Sequence, residues 1–404
     1  MSTKILSIGT AVPPARLSQP KTRDFFAAQP GVTRLTARLI GAAFDQSAIE
    51  NRYSVIGEIG SSETLFSEDG ARLSAPSTGE RNLIYRREAP RLYAAAARDA
   101  LERSGFVAEE VTHVVTASCT GFFAPGPDYL LVKQLGISVT AERTHIGFMG
   151  CAAAFPALRT ATAISDARPG AVVLVVCAEL CSLHIRSSSD PEQIVASAVF
   201  GDGAGAAIVS SAEPRDGRAA LEAVDFSTAI TSEGERDMDW TIGDRGFEMR
   251  LTAEVPRIIG REISGVVEAM LDGADPRTDV EAWAVHPGGR SVLDRVQGGV
   301  ELPDEAMAHS RAVLRDFGNM SSATILFILQ RILADESLGE GARIAGLCFG
   351  PGLTVETARL VMRAGRREPA GAVVAKTEPT GVAAETEPTA AVAAQEPAAA
   401  AAPA

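Results

Sequence analysis

The chain has 404 residues, of which 46% are hydrophobic and 5% aromatic, enough apolar material for two domains or one duplicated unit. A formal net charge of −13 argues against nucleic acid as a partner, since phosphate binding needs a basic face. The sequence has no run of about 18 apolar residues from which to build a membrane span. Cys119, Cys151, Cys177, Cys181 and Cys348 are spaced neither as a disulfide framework nor as a zinc site. They read as reduced thiols in a cytoplasmic protein, and no metal is expected.

Along the chain, residues 4–10 read as a first strand and turn, with no secretory signal before them. Residues 111–118, 171–177 and 205–210 form β-branched or continuous apolar runs, the pattern of strands covered on both faces. Residues 282–286 and 343–349 are strand-like, and residues 308–317 and 321–333 are helix-like. This alternation predicts an α/β protein with sheets packed between helices. The first half runs to residue 220, the second spans 221–368, and an Ala/Pro/Glu tail at 369–404, with little apolar bulk, is expected to be disordered. Phe148-Met149-Gly150-Cys151-Ala152-Ala153 and Phe317-Gly318-Asn319-Met320-Ser321-Ser322-Ala323 each open an apolar helix, a faint internal echo compatible with duplication.

Three residues suggest chemistry. Cys151 follows a glycine and precedes small residues where a helix should begin. Unpaired N–H groups and the helix dipole favour a thiolate there, so the thiol is expected to titrate low. His286 ends a strand and enters Pro287-Gly288-Gly289, a loop that lets a ligand approach the backbone. Asn319 stands where it could cap a helix or donate a hydrogen bond. Together a thiolate could hold an acyl group while imidazole and amide stabilise an enolate oxygen. That set suits decarboxylative Claisen condensation.

Five segments then carry a resemblance: Gly147-Phe148-Met149-Gly150-Cys151, Val199-Phe200-Gly201-Asp202-Gly203-Ala204, Trp283-Ala284-Val285-His286-Pro287-Gly288-Gly289, Phe317-Gly318-Asn319-Met320-Ser321-Ser322-Ala323 and Phe349-Gly350-Pro351-Gly352-Leu353-Thr354-Val355-Glu356. In this order they resemble the type III polyketide synthases, the chalcone synthase-like superfamily, over roughly residues 4–365. The resemblance implies a thiolase fold of duplicated five-stranded mixed sheets in an αβαβα arrangement, and a homodimer. It implies that Cys151 carries the acyl group and that His286 and Asn319 serve decarboxylation. Phe200 and Phe247 would be gate phenylalanines. Cys119, Thr120, Ala124, Cys181, Leu183 and His184 would line the cavity, with Ser321 and the Gly350-Pro351-Gly352 loop shaping it. His184 is expected to be structural or part of the cavity wall, not a second base. No cofactor is implied; the substrates would be malonyl-CoA and an acyl-CoA or acyl-carrier thioester. Plant members carry several basic residues for coenzyme A; here Arg38, Arg52 and Arg290, beside Gly288 and Gly289, are what remains. That loss could reflect altered affinity or delivery by an acyl carrier protein.

The segments 179–184 and 242–249 look most like bacterial alkylresorcinol and alkylpyrone synthases, which extend fatty acyl starters. Cys119 also resembles the tetrahydroxynaphthalene synthases. Tetrahydroxynaphthalene-, phloroglucinol- or chalcone-forming synthases are therefore alternatives. A ketoacyl-carrier-protein synthase of the initiating type is another, opposed by Phe200 and the 318–323 segment. A non-catalytic binding protein of the same fold would be expected to have lost Cys151, His286 or Asn319.

Overall fold

The computed structural model describes residues 2–58, 66–67 and 69–363, with the backbone of Thr380 and Gly381. Apart from those two residues, the tail expected to be disordered lies outside the described residues. The strands in chain order are β1 (Lys4–Val12), β2 (Ala15–Ser18), β3 (Asn51–Ser54), β4 (His113–Ser118), β5 (Glu142–Gly147), β6 (Val172–Leu180), β7 (Asp202–Ser210), β8 (Ala220–Ile230), β9 (Met238–Gly243), β10 (Gly246–Leu251), β11 (Ala282–Val285), β12 (Arg343–Gly350) and β13 (Thr354–Arg363). The helices are α1 (Gln19–Ala27), α2 (Arg34–Asp45), α3 (Thr78–Ser104), α4 (Pro127–Leu135), α5 (Ala154–Ala167), α6 (Pro191–Val199), α7 (Glu254–Leu271), α8 (Arg290–Val300), α9 (Ala308–Phe317) and α10 (Thr324–Leu333).

The main sheet runs β11-β12-β13-β8-β1-β7-β6-β4-β5, and Thr380–Gly381 pairs with the end of β1. In the first half β1, β7 and β6 are antiparallel neighbours, and β6, β4 and β5 are parallel. The second half repeats those directions with β8, β13, β12 and β11. The echo seen in sequence is thus a real duplication, with five strands from one half and four from the other among the described residues. The two halves of the sheet join where Lys4 and Ile5 pair with Glu222 and Leu221.

Burial follows the expected layers. One face of the first-half sheet packs on α3 and α4 through Leu174, Val176, Ala206 and Ile208. Its other face, with Val173, Val175 and Ala207, packs on α5 and α10, which also cover Ala284, Ile344 and Ala358 of the second half. The far face of that half packs on α7 and α8 through Trp283, Val285 and Leu347. All nine residues of β6 are buried, as expected for its apolar run over residues 172–178. Sandwiched between two sheets, α5 carries alanines on its buried face, and α10 is apolar over Ile325–Leu329. The heads of these two central helices carry the site.

Candidate active site

Cys151 lies on a 3-10 turn, Gly150–Ala152, between β5 and α5. The turn is reached through two residues of positive φ, Phe148 at 59° and Gly150 at 60°. Glycine is required at the second: a Cβ there would lie 2.5 Å from Cδ of Pro351. Gly350 allows the reciprocal approach, its Cβ position lying 3.0 Å from both Cβ of Ala152 and the carbonyl of Met149. The Gly350-Pro351-Gly352 loop therefore braces the cysteine turn. Burial pushes the Cys151 thiol up to about 11, opposed by hydrogen bonding to Ser321 and Asn319. The low titration expected from a helix N-terminus is therefore not found: desolvation outweighs the hydrogen bonds and raises the thiol.

Asn319 follows Gly318, whose φ of 70° ends α9. Its side-chain oxygen accepts the Ser321 N–H at 2.8 Å, an Asx turn one residue ahead of the Met320 N-cap, so Asn319 is not itself the helix cap expected from sequence. Its amide nitrogen stays directed at the site, 3.3 Å from the Gly288 carbonyl and 4.0 Å from Sγ of Cys151. Asn319 thus bridges the cysteine turn and the loop that follows His286.

His286 continues from β11, with its N–H donating to the Leu347 carbonyl at 2.8 Å. Its side chain is fully buried, yet neither ring nitrogen has a hydrogen-bond partner among the described residues. Burial depresses its pKa to about 3, so the imidazole is neutral. Buried polar nitrogens without partners are costly in a folded core.

One group was missed from sequence. Glu179, fully buried near the end of β6, accepts hydrogen bonds from the hydroxyls of Ser118, Thr120 and Ser322, from Cys119 N–H and from Sγ of Cys119. Burial raises its pKa, with the hydrogen bonds opposing. Cys119 and Thr120 gather on this carboxylate, and Ser321 joins them with Oγ 3.6 Å from Sγ of Cys119. The available signal was a single carboxylate inside an otherwise apolar strand.

Other expected site residues fall differently. His184 donates from Nε2 to the Thr120 carbonyl and accepts the Phe247 N–H at Nδ1. Burial lowers its pKa to about 3, and both nitrogens are engaged, which suits the structural role expected of it. Phe247, the second expected gate phenylalanine, stacks on His184 with centroids 4.3 Å apart, in a ring cluster with Phe122, Phe148 and Trp240. Leu183 is fully buried in the core beneath α3 rather than in a cavity wall. Cys181 is buried, and Ala124 is exposed. Phe200 is half-buried and bridges Asn319 through the backbone, a position compatible with a gate. Arg38 and Arg290 are exposed, and Arg290 pairs with Asp294 at 3.4 Å. Gly289 is the extended residue leading into α8. Arg52 is 2% exposed and donates to main-chain carbonyls, so the expectation that it meets coenzyme A phosphates is corrected.

A duplicated, layered pair of sheets, with a cysteine heading one central helix and a His–Asn pair supplied by the other half, defines a thiolase-like condensing enzyme. Residues 2–214 match the family model described as chalcone and stilbene synthases, N-terminal domain, and residues 224–364 match the corresponding C-terminal domain. The chain belongs to the chalcone and stilbene synthase family and is a type III polyketide synthase. Among solved structures it is similar to the C-terminal type III polyketide synthase domain of Steely1, a type I/III hybrid from Dictyostelium, at 26% identity and a TM-score of 0.81, covering 89% of this chain and 99% of that one. It is also similar to PKS-I from the brown alga Ectocarpus siliculosus, at 28% identity and a TM-score of 0.81, covering 89% and 98%. No helix among the described residues is long and apolar enough to cross a membrane.

Proposed function

We propose that this enzyme loads a fatty acyl starter on Cys151, extends it with malonyl-CoA and cyclises the product to an alkylpyrone or alkylresorcinol. The carrying observation is the His286 imidazole, buried with both nitrogens unpartnered, on a strand whose following loop Asn319 links to the cysteine turn. In the loading step His286 takes the proton from the Cys151 thiol, the thiolate attacks the starter thioester, the bond to the carrier sulfur breaks, and the leaving thiolate regains the proton from His286. In extension the bond to the malonyl carboxylate breaks and CO2 leaves. The electron pair moves into the thioester carbonyl as an enolate, whose oxygen accepts hydrogen bonds from the His286 ring N–H and the Asn319 amide. The enolate carbon then attacks the Cys151 thioester and releases the thiolate. Asn319 cannot titrate, which suits it to hold charge rather than move protons. The half-buried ring of Phe200, beside Asn319, would disfavour the malonate carboxylate and favour neutral CO2.

The proposal includes a cytoplasmic homodimer. The edge strand β5 exposes five of its six residues with one sheet edge unpaired among the described residues, and Phe122 and Met149 are exposed at 39% and 36%. An uncovered edge with apolar flanks is a place for a second copy. Arg38 and Arg290 remain as exposed cations for coenzyme A phosphates or for a carrier-bound starter.

The test supplies labelled malonyl-CoA with long-chain, short-chain or aromatic acyl-CoA, or with no starter. Alkylpyrones or alkylresorcinols from long-chain starters support the proposal. A product from malonyl-CoA alone would replace it with a tetrahydroxynaphthalene- or phloroglucinol-forming reaction, and an aromatic preference with a chalcone-type one. A single condensation from malonyl carrier protein would point to the ketoacyl synthase alternative. Full turnover by Cys151→Ala would overturn the mechanism.

A further inference from the structure

Helix α6 ends at Val199, immediately before Phe200. Carbonyls at a helix C-terminus lack intrahelical partners and sit at the negative end of the dipole. Here four successive carbonyls are all satisfied. Nη1 of Arg52 donates to Ser197 O at 2.7 Å and to Phe200 O at 2.6 Å. Nε2 of Gln19 donates to Ala198 O at 2.7 Å, and the Asn319 N–H to Val199 O at 2.9 Å. Gln19 and Arg52 act as a pair, since Nε of Arg52 donates to Oε1 of Gln19 at 3.0 Å. The ladder closes where the Gly201 N–H donates to Asn319 O at 2.9 Å.

The fit around the Arg52 stem is tight. A Cβ on Gly318 would lie 2.8 Å from Cγ of Arg52, and one on Gly201 would lie 3.3 Å from its Cβ. The guanidinium sits 5.6 Å from the Phe44 ring centroid. A cation this buried is held by its carbonyl partners and the charge of Asp202, with Nη2 left unpartnered among the described residues.

We propose that Arg52, with Gln19, is a positioning residue for the decarboxylation step: it clamps the end of α6 so that Phe200 and Asn319 keep a fixed register beside Cys151. This rests on the reading of Asn319 as an oxyanion donor. The clamp acts on the half-reaction that uses Asn319 and leaves starter loading on Cys151 alone.

The experiment separates the two half-reactions in the full-length enzyme. Decarboxylation is followed as acetyl-CoA formed from malonyl-CoA without starter, and loading as the mass increase of Cys151 with a long-chain acyl-CoA. Arg52→Lys keeps the charge but loses the fork, and is expected to lose roughly 10–100-fold in the decarboxylation kcat. Malonyl-CoA KM should stay within about twofold, and loading should be unchanged. Gln19→Met leaves the guanidinium in place and gives a milder variant, with a smaller loss and the same split. Equal losses in both half-reactions with a lower melting temperature would show a merely structural role and overturn the proposal. A raised malonyl-CoA KM with kcat intact would return Arg52 to phosphate binding and overturn it too. Wild-type decarboxylation with both variants at full rate would sink the clamp alone. A wild type that cannot decarboxylate malonyl-CoA would sink the reading of the site, and the clamp with it.

Discussion

Gly150→Ala tests how the cysteine turn is built. The residue has a φ of 60°, and an added Cβ would lie 2.5 Å from Cδ and 3.0 Å from Cγ of Pro351. A left-handed backbone costs an L-residue about 1–2 kcal/mol. Forcing a methyl against a packed ring costs about 1–3 kcal/mol more. The expected destabilisation is therefore about 2–5 kcal/mol, read as a shift of the denaturation midpoint at constant slope. Relief by movement of the turn would carry Cys151 with it, and a displacement of about 1 Å costs on the order of 100-fold in turnover. The double variant Gly150→Ala/Pro351→Ala divides the two costs. Removing the ring should recover the packing part, about 1–3 kcal/mol, and leave the backbone part. A single variant within about 0.5 kcal/mol of wild type and fully active would refute the bracing argument. So would a double variant with no recovery.

Further outcomes follow from the buried titratable groups. Burial raises Asp202 from 3.8 to about 6, so the folded carboxyl keeps its proton where the unfolded one has lost it. Its contribution is therefore most favourable below pH 3.8 and declines as pH rises to 6, by about 3 kcal/mol in all. Asp202→Asn should lack that slope in denaturant titrations across this window, and an identical slope would contradict the assignment. His184→Gln should cost about 1–3 kcal/mol of stability through its two lost hydrogen bonds, while iodoacetamide labelling of Cys151 at neutral pH stays unchanged. Loss of labelling in that variant would make His184 part of the thiol's activation. Burial places the Cys151 thiol at about 11 with His286 present, so the thiolate depends on a base to take its proton. His286→Gln should therefore slow iodoacetamide labelling of Cys151 at neutral pH, and coincident profiles in wild type and variant would remove His286 from thiolate formation.

The sequence made buried elements legible and hid exposed ones. Strands β4, β6, β7 and β12 announce themselves as apolar runs, and residues 308–317 are helix α9 with the expected bounds. Strand β5 reads Glu-Arg-Thr-His-Ile-Gly and is mostly exposed, so no burial pattern marked it; its place comes from parallel pairing with β4. Motif order brought out Cys151, His286 and Asn319, because each occupies a fixed point on the fold. Side chains whose meaning depends on distant partners were harder to assign. Arg52 looked like a surface cation until its carbonyl partners 145 and 148 residues away were visible. The stack of Phe247 on His184 joins residues 63 apart and left no mark in the sequence, and Glu179 had no local signature beyond being out of place.

The three residues of the site do not share a half of the duplicated fold. The sulfur heads α5 in one repeat, while the imidazole and amide come from β11 and the head of α10 in the other. Neither repeat alone could carry out a complete condensation, even if each folded. A chain cut in the connector between β7 and β8 and co-expressed as two fragments would recover turnover only when the fragments reassemble. Condensation activity would then serve as a direct reporter of docking between the repeats, and drift in either repeat would be constrained by the seam it shares with the other.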